Sequence, residues 1–192
     1  ALTAVPFALR SMLNKAYVQA STSIVDVLNY ALTLEYLEAG FYSKGNAVAT
    51  VLIPNTGDRS AIKTIGDHET EHVAALKATI TQLGGTPVPS PTFDYTAKGT
   101  FADVFTNYGT FLAVAQTFED TGVRAYKGQA GNLMSNNDVL TAALNIHSVE
   151  ARHASQVRQM RKANGLGDVK PWITLNQSGI GSTAVQASYN GE

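Results

Sequence analysis

IGDHETEHVAAL at residues 65–76 and IHSVEARHASQV at residues 146–157 each place a Glu and a His three positions apart within a run of apolar residues. Three residues is nearly one turn of an α-helix, so the two polar side chains point to the same side of each helix. That side also carries apolar residues at spacings of three and four, the pattern of a buried helix face. Glu69 with His72, and Glu150 with His153, are therefore predicted to lie in the core.

Two further stretches show a buried face interrupted by a carboxylate. Glu35 and Glu119 occupy these positions, and each precedes a tyrosine, Tyr42 or Tyr126, by seven residues. Glu38 falls on the same face as Glu35. Together with the two Glu-x-x-His pairs, this gives four predicted helices that each carry a Glu near the middle of the face that should be apolar.

A buried carboxylate costs many kcal/mol, or takes up a proton, unless positive charge compensates for it. Lys and Arg do not supply that charge on the predicted buried faces. Four carboxylates and two neutral imidazoles do balance the charge of two divalent metal ions. The pattern therefore predicts a dinuclear metal site at the centre of a helical bundle.

Four long segments without internal proline are predicted as amphipathic helices, and they span residues 23–44, 58–83, 100–130 and 136–164. Ser23, Asp58, Thr100 and Asn136 or Asn137 are the expected start signals. The link at residues 84–99 holds three prolines. It can reach about 50 Å, whereas the second helix is about 39 Å long. The fold class is therefore predicted as an all-α four-helix bundle with a long crossover between the second and third helices.

The ends of the chain lie outside this bundle. We expect residues 1–22 to form an N-terminal extension with a short helix near Pro6, residues 23–164 to form the bundle, and residues 165–192 to form a tail that packs on it. Trp172 is the one large anchor expected in the tail. The start at Ala1 without Met fits either a trimmed chain or a mature exported protein whose signal was removed. The location is expected to be exported, periplasmic or extracellular, with a soluble cytoplasmic protein as the alternative.

The two halves of the bundle repeat each other. Thr33-Leu34-Glu35 aligns with Thr117-Phe118-Glu119, and the distance to the following tyrosine is the same in both halves. An internal duplication gives a bundle an approximate two-fold axis, and a dinuclear site on that axis is its natural product. The alignment pairs Glu38 with Gly122, so Glu35 is the predicted ligand of the first helix and Glu38 is the second choice.

The order of two Glu and two Glu-x-x-His, with the long crossover between the halves, resembles the ferritin-like di-iron and di-manganese carboxylate superfamily over residues 23–164. LEYLEAGFY at residues 34–42, HETEHVAAL at residues 68–76 and the Gly-rich tail are similar to the desiccation-related and stress-response members, which are commonly exported. The resemblance implies that Glu69 and Glu150 bridge two Fe or two Mn ions. The implied ligands are Glu35, Glu69, His72, Glu119, Glu150 and His153.

Departures from related families narrow the expected activity. The chain has no Glu one turn from Glu119 and no Cys-rich rubredoxin segment, so it lacks an electron donor of its own. It also shows no clear fifth helix, which argues against cage assembly and iron storage. We expect a reaction with peroxide or O₂ in oxidative protection: ferroxidase or peroxidase activity with iron, or catalase-like dismutation with manganese. Carboxylate and imidazole ligands suit both metals.

Composition excludes other classes of function. The net charge is −1 and no stretch is rich in Lys or Arg, which argues against nucleic acid as a partner. The chain has no Cys, which excludes disulfides, Cys-ligated zinc and thiol catalysis. The longest apolar run, at residues 23–37, contains Asp26 and Glu35 and is not a membrane span. The sequence leaves a homodimer open.

Two alternative functions remain at this stage. Residues 68–72 read HETEH, which matches the HExxH pattern of zinc metalloproteases with two His ligands and Glu69 as the general base. That interpretation leaves Glu35, Glu119 and the second Glu-x-x-His pair unexplained. The other alternative is a metal-free structural or binding bundle whose buried polar groups form a hydrogen-bonded network.

Neighbouring polar residues receive simpler interpretations. Tyr42 and Tyr126 are expected mainly to pack, with hydrogen bonds to the carboxylates as the alternative. His147 is expected either to orient the Glu one turn after it or to be a solvated or core-capping side chain. Asp120 and Arg124 are predicted to form a surface ion pair at i,i+4.

Overall fold

A computed structural model describes residues 23–190 of the chain. The main helices are α1 (Ile24–Ala47), α3 (Thr56–Gln82), α4 (Tyr108–Gln129) and α5 (Asn137–Ala163), and a single turn, α2 (Ala49–Leu52), follows α1. Short 3-10 helices occupy Ala130–Leu133 and Thr183–Ser188. Within residues 23–190 the structure contains no β-strand, only an isolated bridge between Thr174 and Gln177. The predicted all-α bundle is confirmed, and the predicted helix near Pro6 lies outside the described residues.

Side-chain caps fix where the long helices begin. Ser23 and Asp26 form a capping box at the start of α1. Asn55, Asn107 and Asn136 accept hydrogen bonds from backbone N–H groups in the first turns of α3, α4 and α5. These caps satisfy donors that have no partner inside the helix.

The predicted start of the third helix at Thr100 is wrong, because α4 begins at Tyr108. Ala97 and Lys98 have φ values of 50° and 57°, and Gly99 has a φ of 87°, so the chain turns there rather than forming an α-helix. The apolar residues that suggested helix at residues 101–105 pack onto the core from turns, and Val104 is buried among them.

The bundle consists of two helix pairs, in which α1 packs mainly against α3 and α4 packs mainly against α5. The crossover that joins the pairs runs along α1. Near its start, Asn29 of α1 accepts a hydrogen bond from the Val88 N–H at 2.9 Å. Further along, the Tyr95 hydroxyl donates to the Leu37 carbonyl at 3.2 Å. The long crossover thus returns the chain to the end of the bundle where α3 began.

Two apolar clusters fill the bundle, one toward each end. The first contains Phe41, Ile62 and Phe111, and the rings of Phe41 and Phe111 stack with centroids 4.7 Å apart. The second contains Leu28, Ile80 and other aliphatic residues. The predicted carboxylates lie between these clusters, so a polar layer is enclosed by apolar packing on both sides. None of the helices within residues 23–190 is long and apolar enough to cross a membrane.

The C-terminal segment lies against α4 and α5, but Trp172 does not anchor it. Trp172 is 62% exposed, whereas Val185 and Tyr189 are 1% and 0% exposed. Trp172 has the largest side chain in the tail, and size alone favours it as the anchor. Tyr189 takes that place because its hydroxyl donates to the buried Asp120 carboxylate at 2.6 Å.

The close packing of α1 against α4 gives a stability prediction. A Cβ at Gly45 would lie 2.5 Å from Cε2 of Phe111, so Gly45→Ala is expected to destabilise the protein by about 1 to 3 kcal/mol through overpacking. Gly128 is the matched control, because nothing lies within 4 Å of a Cβ at that position. Gly128→Ala should stabilise the protein by up to about 1 kcal/mol through helix propensity. Thermal unfolding monitored by circular dichroism measures both; equal effects would contradict the packing described.

Candidate metal centre

All six predicted site residues converge in the middle of the bundle, and we call them the carboxylate cluster. Their donor atoms form two overlapping groups, and within each group the atoms lie no more than 4.8 Å from one another. One group contains Glu35 and His72, the other contains Glu119 and His153, and both contain Glu69 and Glu150. The sharing of two carboxylates between two donor groups is the arrangement that a pair of bridged ions requires.

Each histidine presents Nδ1 to the carboxylates. Nδ1 of His72 lies 3.1 Å from a Glu35 oxygen and 3.0 Å from a Glu69 oxygen. Nδ1 of His153 lies 2.7 Å from the other Glu69 oxygen and 3.4 Å from a Glu119 oxygen. Glu69 therefore contacts both imidazoles, one with each oxygen.

The hydrogen bonds of the two tyrosines reflect the duplication of the chain. The hydroxyl of each tyrosine donates to a cluster carboxylate in the opposite half of the bundle. The Tyr42 hydroxyl donates to Glu119, and the Tyr126 hydroxyl donates to Glu35. The expectation that these residues mainly pack is therefore incomplete. Both rings do lie in the apolar clusters, but their hydroxyls hold the two outer carboxylates.

Burial dominates the electrostatics of the cluster. Glu35, Glu69, Glu119 and Glu150 are all 0% exposed. Burial raises the pKa of Glu35, Glu119 and Glu150, while contacts with His153 and His72 outweigh burial and hold the pKa of Glu69 below its ordinary value.

The imidazoles show the opposite balance. Burial alone would lower the pKa of His72 and His153, but hydrogen bonds and charge from the facing carboxylates raise the pKa of both well above the ordinary value. Without metal, each imidazole therefore holds a proton at neutral pH.

Several buried atoms of the cluster have no hydrogen-bond partner, which tests whether metal ions fit. These atoms are Oε1 of Glu69, Oε2 of Glu119, both carboxylate oxygens of Glu150 and Nδ1 of His153. All but Oε2 of Glu150 lie within 3.4 Å of an oppositely charged atom of the cluster, but outside hydrogen-bonding geometry. Buried polar atoms are rarely left without a partner in native proteins. Converging oxygen and imidazole donors, several of which are not in hydrogen-bonding geometry, suit Fe or Mn. The residues present therefore fit a pair of such ions.

In the sequence, His68 has a role only in the zinc alternative. Nδ1 of His68 lies 3.0 Å from Nε2 of His153, and the two rings stack with centroids 5.3 Å apart. His68 is in neither donor group, so it does not join His72 in a two-histidine zinc site. The first His of HETEH is visible in the sequence. Its contact with His153 depends on how α5 packs beside α3, which the sequence pattern does not show.

His147 does not orient Glu150. Both carboxylate oxygens of Glu150 lack a hydrogen-bond partner, and Nδ1 of His147 is itself buried without one. Of the two alternatives expected for His147, the orienting contact is therefore wrong, although the two residues are less than one turn apart on α5.

The predicted surface ion pair of Asp120 and Arg124 is also wrong. Asp120 is 1% exposed and pairs with Arg158 of α5. Arg124 instead donates to the backbone carbonyls of Ser188 and Tyr189 in the tail. The i,i+4 spacing suggested exposure because nothing in the helix itself shows that the tail covers this face.

A protein-family model described as ferritin-like domain matches residues 10–163. The chain belongs to the ferritin-like domain family. A search of curated proteins and a search of solved structures each found no match. In this ferritin-like domain, the four long helices place one Glu each at the same level, and α3 and α5 add the two histidines. The resemblance inferred from the paired Glu-x-x-His motifs is thus confirmed at the level of the family.

Metal binding to this ferritin-like domain is predicted to release protons. His72 and His153 must lose their protons to bind an ion, and their raised pKa values keep both protonated between about pH 6 and 8 in the metal-free protein. Metal affinity should therefore rise with pH across this range and fall as the solution is acidified. Titration calorimetry with Mn²⁺ in two buffers of different ionisation enthalpy should show release of about two or more protons. Binding with no proton release would contradict the arrangement.

Proposed function

We propose that this protein holds a dinuclear iron or manganese centre that reacts with peroxide or O₂ in oxidative protection. The observation that carries the proposal is the pair of buried donor groups that share Glu69 and Glu150, in which several donor atoms make no hydrogen bond. A bound pair of Fe or Mn ions supplies two-electron exchange with peroxide or O₂. A desiccation-related or stress-response subtype, and export from the cytoplasm, belong to the same proposal.

The residues of the cluster take three roles in it. His72 and His153 would each hold one ion. Glu35 and Glu119 would bind at the outer positions, and Glu69 and Glu150, which occur in both donor groups, would serve both ions. This assignment gives each ion one imidazole and an equal share of the four carboxylates, as the duplication of the chain requires.

Tyr42 and Tyr126 position the outer carboxylates. Burial raises the pKa of both phenols well above the ordinary value, so both hydroxyls stay protonated and donate. One oxygen of each outer Glu accepts this hydrogen bond, and the other oxygen faces a histidine. The tyrosines thus leave one carboxylate oxygen free to bind and limit how far each carboxylate moves.

Apolar packing above and below the cluster excludes bulk water. The layer of Phe41, Ile62 and Phe111 closes one side, and the layer of Leu28 and Ile80 closes the other. Small uncharged molecules such as peroxide and O₂ are the reactants suited to so enclosed a centre. Within residues 23–190 no residue is a Cys, so thiol chemistry at the centre does not come from this chain.

The donor atoms do not distinguish iron from manganese, but the reactions differ. Manganese dismutation of peroxide needs no external reductant. Iron would require electrons from another molecule after each oxidation. The manganese catalase-like activity is therefore the first assay, with ferroxidase and peroxidase assays second.

Ligand variants test the assignment. Glu150→Ala and His153→Ala should each abolish metal binding, because each removes a donor that the site cannot replace, while circular dichroism still shows a helical protein. Glu71→Ala is the matched control on an exposed position of α3. Elemental analysis of each protein measures occupancy, and oxygen evolution from hydrogen peroxide measures activity.

The outcomes separate the functions. Two Fe or Mn per chain in the wild type and the Glu71 variant, with none in the other two, supports the proposal. Full occupancy in either ligand variant contradicts it. One Zn per chain would favour the protease alternative, and a stable wild type that takes up no metal would favour a metal-free bundle.

Removal of the tyrosine hydroxyls tests their positioning role. Tyr42→Phe and Tyr126→Phe keep the rings and their packing but leave the outer carboxylates without a donor. Each change should lower the affinity for one Mn²⁺ ion by about 10- to 100-fold, the range for loss of a hydrogen bond to a metal ligand. Tyr36→Phe, on a half-buried position of α1, is the control. Calorimetric titration measures both affinities; unchanged binding in both tyrosine variants would exclude this role.

A further inference from the structure

Glu38 is a fifth carboxylate at the level of the cluster, and neither donor group includes it. It lies on α1 one turn after Glu35 and is 2% exposed. Its Oε2 is buried and has no hydrogen-bond partner. Among the charged groups around it, Glu150 has the largest electrostatic effect, followed by Glu69 and Glu119.

No neighbouring donor accounts for this carboxylate. Burial raises the pKa of the phenol of Tyr30, on the same helix, to about 12, and the charge of Glu38 contributes to the rise. The Tyr30 hydroxyl is nevertheless buried without a hydrogen-bond partner of its own. Within residues 23–190 no Lys, Arg or His forms an ion pair with Glu38.

Glu38 lies at a position where the duplication is broken. The position aligned with Glu38 in the second half is Gly122 of α4. A Cβ there would lie 2.5 Å from Oε2 of Glu150 and 3.4 Å from Oε1 of Glu38. Both carboxylates thus approach the same point on α4: Glu150 lies closer than a Cβ would allow, and Glu38 lies at ordinary contact distance beside it.

A buried carboxylate of this kind needs either a proton or a cation. We propose that Glu38 is a seventh protein ligand, which would give its Oε2 to one of the two ions that Glu150 would bridge. This inference rests on the proposed function. It makes the two ions inequivalent, because the Glu38 side of the two-fold axis has a carboxylate where the Gly122 side has none.

Glu38→Gln distinguishes a ligand from a buried neutral acid. The amide has the shape and hydrogen-bonding capacity of a protonated carboxyl group, but it lacks the anionic oxygen that a metal ion binds. The same exchange at the exposed Glu71 is the control. Each metal-free protein is titrated with Mn²⁺, and free Mn²⁺ is followed by electron paramagnetic resonance.

If Glu38 is a ligand, Glu38→Gln weakens one of the two Mn²⁺ affinities by about tenfold or more and leaves Glu71→Gln like the wild type. Two unchanged affinities in Glu38→Gln would overturn the inference while leaving the proposed function intact. A wild type that binds neither Mn²⁺ nor Fe²⁺ would overturn both.

A crystal structure of the Mn²⁺-loaded wild type provides a test that does not depend on the folding of a variant. A Glu38 oxygen at about 2 to 2.5 Å from an ion is the expected result, the range for oxygen ligands of divalent cations. A Glu38 carboxyl group beyond that range from both ions would overturn the ligand assignment.

Discussion

The structure depends on one electrostatic constraint: four fully buried carboxylates at one level of an apolar bundle require positive charge nearby. Desolvation of each carboxylate costs several kcal/mol, and their mutual repulsion adds to it. In the metal-free protein, protons on His72 and His153 and raised carboxyl pKa values relieve part of that cost. The partnerless oxygens show that the relief is incomplete. The close approach of α4, the crossed tyrosine bonds and the enclosing apolar layers all serve to hold these groups together.

The duplication explains both the symmetry of the cluster and its exceptions. Tyr42 donates to the outer carboxylate of the second half, and Tyr126 donates to that of the first half, as expected for a two-fold arrangement. The exceptions are confined to positions where the halves differ in sequence. Glu38 faces Gly122, and His68, which stacks on His153, aligns with Val149 in the second half. The two ends of the cluster are therefore similar in ligands and different in surroundings.

A second buried polar group lies on the other side of α4 and binds the tail. Arg158 and Asp120 pair at its centre, and Gln116 donates to the Ser178 carbonyl at 2.7 Å. Arg161 donates to the Gly179 carbonyl at 2.9 Å. Side-chain donors thus form hydrogen bonds with the backbone carbonyls of the irregular tail. Without such partners, burial of these carbonyls would be unfavourable. The tail covers the second helix pair much as the crossover covers α1.

The sequence predicted what helical spacing determines. The six cluster residues, the four long helices and the long crossover all follow from apolar periodicity and from the polar residues that interrupt it. Predictions from the sequence were wrong where the conformation or burial of a residue depends on segments distant in the chain. The turn before Tyr108 carries apolar residues at helical spacing, and Asp120 looks exposed until the tail is placed over it. Trp172 is larger than Tyr189, but only Tyr189 has a hydroxyl that reaches a buried acceptor.

Anomalous X-ray diffraction from crystals of the purified protein, recorded at the Fe, Mn and Zn edges, tests the central claim most directly. The account predicts two Fe or Mn peaks about 3.5 to 4 Å apart, between Glu69 and Glu150, with one beside Nδ1 of each histidine. Well-ordered crystals without a peak in the cluster after Fe²⁺ or Mn²⁺ soaking, or with a single Zn peak between His68 and His72, would contradict it.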